Sequence, residues 1–313
     1  MSFVKSALVS AALVATPTVV AAVPYSNLVV FGDSLVDAGN VSIITGGAVP
    51  NPAQGYFMGR FTNGPDFTDF LNQQIEGSFT TASLAGGDNY AFGGARIVDN
   101  STFAAGGDAI PDLDFQVATY LAATGGSADA EALHTINMAG NDIFAIGRGE
   151  TGPFTQEEYI AFAASRIVAN VDALDDAGAR KILVMGVPNL GATGSVELET
   201  AILAGLAAAE LEAEIFNFSY FDFFTTLQTN PSALGLPVQD TTVNCIDVRE
   251  VVDGEIDCTG IFSFDGVHFT APIHEALFRE VADLVGIQQV PAPGALALFG
   301  IGLIGIGIRR RVR

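Results

Sequence analysis

Three residues near opposite ends of the chain have the types needed for nucleophilic acyl chemistry. Ser34 follows a short apolar run, and Asp265 and His268 stand three positions apart far downstream. A serine hydroxyl is barely ionised at neutral pH, so it needs a general base, and that base needs a carboxylate to fix its tautomer. Of the other histidines, His134 opens a predicted strand and His274 lacks a carboxylate three positions upstream. We therefore expect Ser34, His268 and Asp265 to act as nucleophile, base and orienting acid.

The sequence around Ser34 predicts the sharp turn that would present its hydroxyl. Residues 27–31 form an apolar run typical of a buried parallel strand, and Gly32 allows the chain to turn directly after it. Ligands of open α/β sheets bind at the carboxyl ends of such strands. Alone, the tetrapeptide Gly-Asp-Ser-Leu is a weak signal, because Asp and Ser are also ordinary helix caps.

Alternating strands and helices predict the fold that must bring these segments together. Apolar runs at 27–31, 134–138 and 181–187 predict strands, and helices are predicted over 155–176 and 197–216. The first of these helices opens with a Thr-x-x-Glu capping box. The alternation predicts an α/β fold with three layers, α/β/α, in which helices cover both faces of a parallel central sheet. We see no polar linker, so we expect a single domain.

Six motifs in order make the chain resemble the GDSL family of SGNH hydrolases over nearly all of residues 27–275. These motifs are residues 32–40, 59–64 (Gly-Arg-Phe-Thr-Asn-Gly), 89–95 (Asn-Tyr-Ala-Phe-Gly-Gly-Ala), 139–142 (Ala-Gly-Asn-Asp), 187–191 (Val-Pro-Asn-Leu-Gly) and 265–268 (Asp-Gly-Val-His). Together they are far more specific than any one of them. Ala139 departs from the pattern, since the family has Gly there. The resemblance implies a flavodoxin-like SGNH fold and a serine hydrolase that needs no metal and no other cofactor.

The resemblance also implies an oxyanion hole made of the Ser34 and Gly94 N–H groups and the Asn141 side chain. The residue types are suitable, because Gly93-Gly94 leaves the backbone N–H accessible and Asn141 offers an amide donor. Taken singly, the two glycines could be a plain turn and Asn141 a helix cap. The mechanism implied is acyl transfer, in which Ser34 attacks an ester carbonyl and water hydrolyses the acyl-enzyme.

Composition excludes one class of partner. The 313-residue chain has 35 Asp+Glu against 13 Lys+Arg, which gives a formal net charge of −22. Nucleic-acid binding relies on clustered Lys and Arg, so we expect no nucleic-acid partner. All the acidic residues lie between residues 23 and 289, and we expect this segment to be the catalytic domain.

The two ends of the chain have the character of targeting segments. Residues 1–22 predict a secretory signal peptide cut after Ala22, with an amphipathic first helix as the alternative. Residues 290–313 contain Val-Pro-Ala-Pro, an apolar run and four arginines, and they resemble the PEP-CTERM sorting signal of Gram-negative bacteria. Ala292 stands where those tails have Glu. The resemblance implies an exosortase-like processing enzyme and transient or stable anchoring of an exported protein by a C-terminal membrane helix. A plain membrane anchor is the alternative.

The two cysteines of the chain, Cys245 and Cys258, lie in a loop-rich stretch. In an exported protein they most simply form one disulfide, and two unpaired thiols are the alternative. No Cys or His pairs at metal-ligand spacing accompany them, so we expect no metal site.

These features predict an exported serine esterase or lipase that hydrolyses a small-molecule, lipid or glycan carboxylic ester at the cell surface. One alternative is a carbohydrate (acetyl) esterase acting on surface polysaccharide, since sorting signals of this kind accompany exopolysaccharide producers. Another is a catalytically silent, surface-anchored matrix protein on the same fold. The 23 phenylalanines could line an acyl pocket, although phenylalanine is more often a core residue.

Overall fold

The computed structural model describes residues 24–103, 110–188 and 191–287. The predicted signal peptide, residues 1–22, and the predicted sorting tail, residues 290–313, lie outside these ranges. Within them, no helix is long and apolar enough to cross a bilayer.

A parallel sheet forms the centre of the domain. Its four strands are hydrogen-bonded in the order β1-β2-β3-β4, namely β1 (Leu28–Gly32), β2 (Leu133–Asn137), β3 (Lys181–Met185) and β4 (Glu214–Phe218). Residues 88–92 extend the sheet beyond β1, where the Tyr90 N–H donates to the Val30 carbonyl at 2.7 Å. Three of these strands match the predicted ones to within two residues at each end.

Helices cover both faces of this sheet, as predicted. They are α1 (Asn40–Ile44), α2 (Phe67–Ile75), α3 (Leu113–Ala123), α4 (Gly140–Arg148), α5 (Gln156–Asp176), α6 (Ser195–Ala208), α7 (Tyr220–Thr229), α8 (Cys245–Val248) and α9 (Ala271–Leu284). Side chains alternate across a strand. Val29 and Phe31 therefore pack with α3 to α6, whereas Leu28 and Val30 pack with α2, α7 and α9 on the other face.

The predicted helix over 197–216 is wrong in its second half. Helix α6 ends at Ala208, and the chain then extends into β4, which pairs along β3. The residues of β4, Glu-Ile-Phe-Asn-Phe, include β-branched and aromatic side chains that fit a pleated surface. Pairing with β3 thus overrides the helical propensity of the Ala- and Glu-rich segment before it. The predicted capping box of α5 is confirmed, with Thr155 and Glu158 each accepting the other's backbone N–H.

Helix α9 runs antiparallel to the strands and brings the end of the described domain to the amino edge of the sheet. Phe269, just before α9, packs on Tyr220, which directly follows the end of β4. At the other end of α9, the Val285 carbonyl accepts a hydrogen bond from Tyr25 O–H at 2.6 Å, ahead of β1. The start and end of the described domain therefore lie together, at the edge opposite to Ser34.

A small second sheet pairs β5 (Asp240–Asn244) with β6 (Ile261–Ser263). The predicted disulfide is confirmed here, since Cys245 and Cys258 are bonded with their Cα atoms 5.5 Å apart. Both cysteines are buried in a small apolar cluster with Phe264. This cluster supports the turn that directly follows Phe264.

Candidate active site

The nucleophile turn begins where β1 ends. A Cβ on Gly32 would lie 2.8 Å from the Asn137 carbonyl oxygen and would clash with Val36, so only glycine fits this position. The next residue, Asp33, donates its N–H to the same carbonyl, and its carboxylate accepts the Leu35 N–H at 3.0 Å. These bonds turn the chain out of the sheet at Ser34.

The structure brings the three residues predicted for nucleophilic chemistry into one hydrogen-bonded chain. The Ser34 Oγ lies 2.7 Å from His268 Nε2, and His268 Nδ1 lies 2.7 Å from Asp265 Oδ2. The two segments are 234 positions apart in sequence. Their meeting at the carboxyl edge of the sheet therefore follows from the fold and not from local sequence.

The carboxylate of Asp265 is held in its charged form. Burial alone would raise the pKa, but hydrogen bonds and charge from His268, together with backbone donors, hold the Asp265 pKa at about 2. The backbone donors are the Val267 N–H at 3.0 Å and the His268 N–H at 2.9 Å, both to Oδ1. Asp265 is thus an anion that fixes both the backbone and the ring of His268.

The residues predicted for an oxyanion hole lie around the nucleophile turn. Ser34, His268 and Asn141 line one cleft, together with Asp33, Leu35, Gly140, Phe144, Pro188, Val267 and Phe269. Gly94 does not line this cleft, but it is connected to it, because the Asn141 side chain donates to the carbonyl of the next residue, Ala95, at 2.9 Å. Neither the Ser34 N–H nor the Gly94 N–H donates to any described residue.

Two buried carboxylates hold the proposed oxyanion segments in place. Asp37 accepts the Gly93 N–H at 2.9 Å, and Asp142 accepts the Ile97 N–H at 2.9 Å. Asp142 follows Asn141 in the first turn of α4, so these bonds tie the glycine loop to the helix that carries the amide. Burial raises the Asp142 pKa to about 6, despite its hydrogen bonds.

Ala139, the departure from the family pattern, adopts a conformation that favours glycine. Its φ is 99°, and α4 starts at the next residue. The methyl group of Ala139 is buried in the larger apolar core. Helix α4, with Asn141 in its first turn, therefore begins directly after a residue with a strained backbone.

Sequence reasoning missed two aromatic residues that contact this site. Tyr56 donates to the Asp265 carboxylate, and the Phe61 ring lies with its centroid 5.2 Å from that of His268. A signal was available for Phe61, because it lies inside the second motif. Tyr56 lies three residues before that motif, and its local sequence gives no indication of the contact. No group of His, Cys, Asp or Glu in the described part of the chain is arranged to hold a metal ion.

Comparison with known proteins identifies the family. A family model described as GDSL-like Lipase/Acylhydrolase matches residues 28–281, which is most of the chain and includes the whole site above. The chain belongs to the GDSL-like lipase/acylhydrolase family. A second model, the PEP-CTERM protein-sorting motif, matches residues 289–311, as the sequence predicted.

Two named relatives of this GDSL chain are a lipase and an acyltransferase. It is 31% identical over 215 residues to Lipase 1 of Photorhabdus luminescens, covering 65% of this chain and 29% of that protein. It is 30% identical over 181 residues to a phosphatidylcholine-sterol acyltransferase of Aeromonas hydrophila, covering 58% and 50% respectively. The chain thus spans half or less of the length of these two relatives. A solved structure, LAE5, an alpha/beta hydrolase enzyme from the Lake Arreo metagenome, aligns with a TM-score of 0.45 at 11% identity, covering 85% of this chain and 97% of that one.

Proposed function

We propose that this GDSL-family chain is an exported serine ester hydrolase that works through an acyl-enzyme on Ser34. The observation that carries the proposal is the continuous hydrogen-bonded chain from Ser34 Oγ through His268 to Asp265, with 2.7 Å at each link. A neutral histidine that donates from Nδ1 to a carboxylate presents a lone pair on Nε2. Nε2 faces Ser34 Oγ and can accept its proton.

The reaction follows from this arrangement. Ser34 Oγ attacks the ester carbonyl while its proton moves to His268 Nε2, and Asp265 stabilises the imidazolium that forms. The Ser34 and Gly94 N–H groups and the Asn141 amide are the proposed donors to the tetrahedral oxyanion. His268 then protonates the leaving alkoxide. A water molecule, deprotonated by His268, attacks the acyl-enzyme and releases the carboxylic acid.

The proposed setting is the surface of a Gram-negative cell. We propose three segments, a signal peptide at residues 1–22, a catalytic domain at residues 23–289 and a sorting tail at residues 290–313. The match of the PEP-CTERM motif supports processing of the tail by an exosortase-like enzyme and surface retention by the tail. The disulfide between Cys245 and Cys258 supports an oxidising compartment.

The substrate class is proposed as carboxylic esters, and the name Lipase 1 of the Photorhabdus relative is in keeping with it. Phe144 and Phe269 provide apolar walls beside Ser34 in the cleft. These rings offer contact for an acyl group, while Asn141 and His268 face the carbonyl and the leaving oxygen. The alcohol part and the chain length of the acyl group are to be found by screening acyl esters of increasing length against acetylated polysaccharide.

Two measurements test the proposal. The Ser34→Ala variant should keep the thermal unfolding temperature of the parent protein and lose hydrolysis of p-nitrophenyl esters. A fluorophosphonate probe should label the parent protein and not the variant, since it requires an activated serine. Retained hydrolysis by Ser34→Ala would refute the role of Ser34. Folded parent protein that takes up no probe and hydrolyses no ester would favour a catalytically silent matrix protein.

A further inference from the structure

The second motif of the sequence lies against the turn that carries the base. We define the clamp segment as residues 56–64. Four of its side chains contact the chain between residues 265 and 271, namely Tyr56 with Asp265 (2.8 Å), Phe61 with the His268 ring (centroids 5.2 Å), Thr62 with the Phe269 carbonyl (2.7 Å) and Asn63 with the Ala271 N–H (2.8 Å). The clamp segment thus contacts His268 itself and residues before and after it in the sequence.

The clamp segment is itself fixed to the core and to the nucleophile segment. Arg60 forms a buried ion pair with Asp69 at 2.7 Å, and both side chains are almost completely inaccessible to solvent. The same guanidinium donates to the carbonyl of Ala38, four residues after Ser34, at 3.1 Å, and to that of Thr80 at 2.8 Å. A buried guanidinium with several partners holds its surroundings in one geometry. The clamp segment therefore relates the nucleophile turn to the base turn.

Tyr56 is the member of the clamp segment that reaches the catalytic hydrogen bonds. Its O–H donates to Asp265 Oδ2 at 2.8 Å, the same oxygen that lies 2.7 Å from His268 Nδ1. The other oxygen, Oδ1, accepts the Val267 and His268 N–H groups. A carboxylate has about four acceptor positions, so Asp265 is fully satisfied. The Tyr56 ring packs edge-on against Phe264 with centroids 4.9 Å apart, which gives the O–H a fixed direction.

We propose that Tyr56 is a positioning residue of the triad, an inference that rests on the proposed function of Ser34. Its O–H keeps Asp265 Oδ2 in line with His268 Nδ1 and shares the negative charge of that oxygen. Sharing the charge limits how strongly Asp265 stabilises the imidazolium of His268. Tyr56 therefore both orients the base and sets the pH at which it becomes available.

The test is Tyr56→Phe, which removes the oxygen and keeps the ring packing against Phe264. We expect kcat to fall about 10-fold with KM changed less than about twofold, because a charge-assisted hydrogen bond is lost while the substrate contacts remain. The acid limb of the kcat/KM profile should move to higher pH, because Oδ2 then carries more unshared charge toward His268. Two other titratable groups act on His268, Asp33 and His274, and the variant leaves both in place.

A matched control separates positioning from a general loss of stability. Tyr25→Phe also removes a phenol hydrogen bond, the one to the Val285 carbonyl at 2.6 Å, at the far edge of the sheet. This control should lower the unfolding temperature and leave the pH profile and kcat unchanged. A double-mutant cycle with Asp265→Asn adds a second control, since Tyr56→Phe should have little further effect on kcat once the carboxylate is gone.

The same shift can be measured without turnover. In the Ser34→Ala background, NMR titration of the His268 imidazole should move to higher pH when Tyr56→Phe is added, and the chain has only three histidines to assign. The proposal would be overturned if neither the pH profile nor the His268 titration shifts, whether or not kcat falls. Parallel assays of the parent and of Ser34→Ala distinguish this failure from failure of the proposed function, which would appear as parent activity that survives the loss of Ser34.

Discussion

Replacing Asp265 by Asn is the sharpest perturbation of the proposed machinery. Oδ2 of this carboxylate faces two donors, from Tyr56 and His268, and Oδ1 faces the N–H groups of Val267 and His268. An asparagine must direct its NH₂ group at one of these donor pairs. Facing the backbone, the NH₂ would leave two N–H groups unsatisfied, at about 1–3 kcal/mol each.

The asparagine amide therefore directs its NH₂ toward the His268 ring, and His268 Nδ1 then accepts a hydrogen bond from it. That tautomer carries its proton on Nε2, which faces Ser34 Oγ and can no longer accept a proton. We expect kcat to fall about 10⁴-fold, as expected when a base is locked in the wrong tautomer. KM should change little, because Asp265 does not line the substrate cleft.

The same exchange has a pH-dependent effect on stability. The Asp265 pKa is about 2 in the folded protein, against an ordinary value of 3.8. Burial raises this pKa, but His268 and the backbone donors lower it by more. A depressed carboxyl pKa stabilises the fold above the ordinary pKa, and the contribution is lost as the pH falls toward about 2. The difference corresponds to at most about 2 kcal/mol, or about 4–8 °C in unfolding temperature. It is an upper bound because part of it comes from His268 charge, which is present only when the ring is protonated.

The assay is p-nitrophenyl ester hydrolysis at saturating substrate, with thermal unfolding followed from about pH 2 to about pH 7. The gap in unfolding temperature between the parent and Asp265→Asn should narrow as the pH falls below about 4. A variant that keeps more than about a tenth of the parent kcat would refute the tautomer argument. An equal stability gap at both ends of the pH range would refute the charge argument.

Two further predictions concern the elements that support the site. Replacing Cys245 and Cys258 by Ala opens a loop with a sequence separation of 13. The free energy of unfolding should fall by about 3 kcal/mol, which calorimetry should show as a lower unfolding temperature. Addition of dithiothreitol should lower the unfolding temperature of the parent but not that of the variant. Ala139→Gly relieves the backbone strain of a φ of 99°, but it raises the conformational entropy of the unfolded chain and removes a buried methyl group. Relief of the strain is worth about 1–2 kcal/mol, the added freedom of the unfolded chain costs about 0.4–1 kcal/mol, and loss of the methyl costs about 0.8 kcal/mol. The unfolding free energy should therefore stay within about 1 kcal/mol of that of the parent. A larger loss in a urea titration would show that the backbone at residue 139 is unstrained.

Residues placed by a local turn were the most predictable part of the candidate site. Ser34 could be located because a glycine after an apolar run marks a turn at the end of a strand, and the Asp265–His268 pair because its spacing fits one turn. The disulfide followed from cysteine count and export. In each of these cases a short stretch of sequence contains both the residue and its structural reason.

Contacts between distant segments could not be predicted in the same way. Nothing in the local sequence of Tyr56 indicates that its O–H meets Asp265, 209 positions away. Likewise, β4 was mistaken for helix because the Ala- and Glu-rich residues before it favour helix, although its own side chains suit a strand and pair along β3. The local propensity of a segment is a small energy compared with the packing and hydrogen bonds it gains in the sheet.

Both ends of the described domain lie away from the proposed active site. Pro24, held by a hydrogen bond from Lys181 at the start of β3, and Ile287, packed in the core beyond α9, both lie at the amino edge of the sheet. Ser34 lies at the carboxyl edge. The described domain therefore begins and ends at the edge of the sheet remote from the cleft, and its two ends leave the carboxyl edge around Ser34 free.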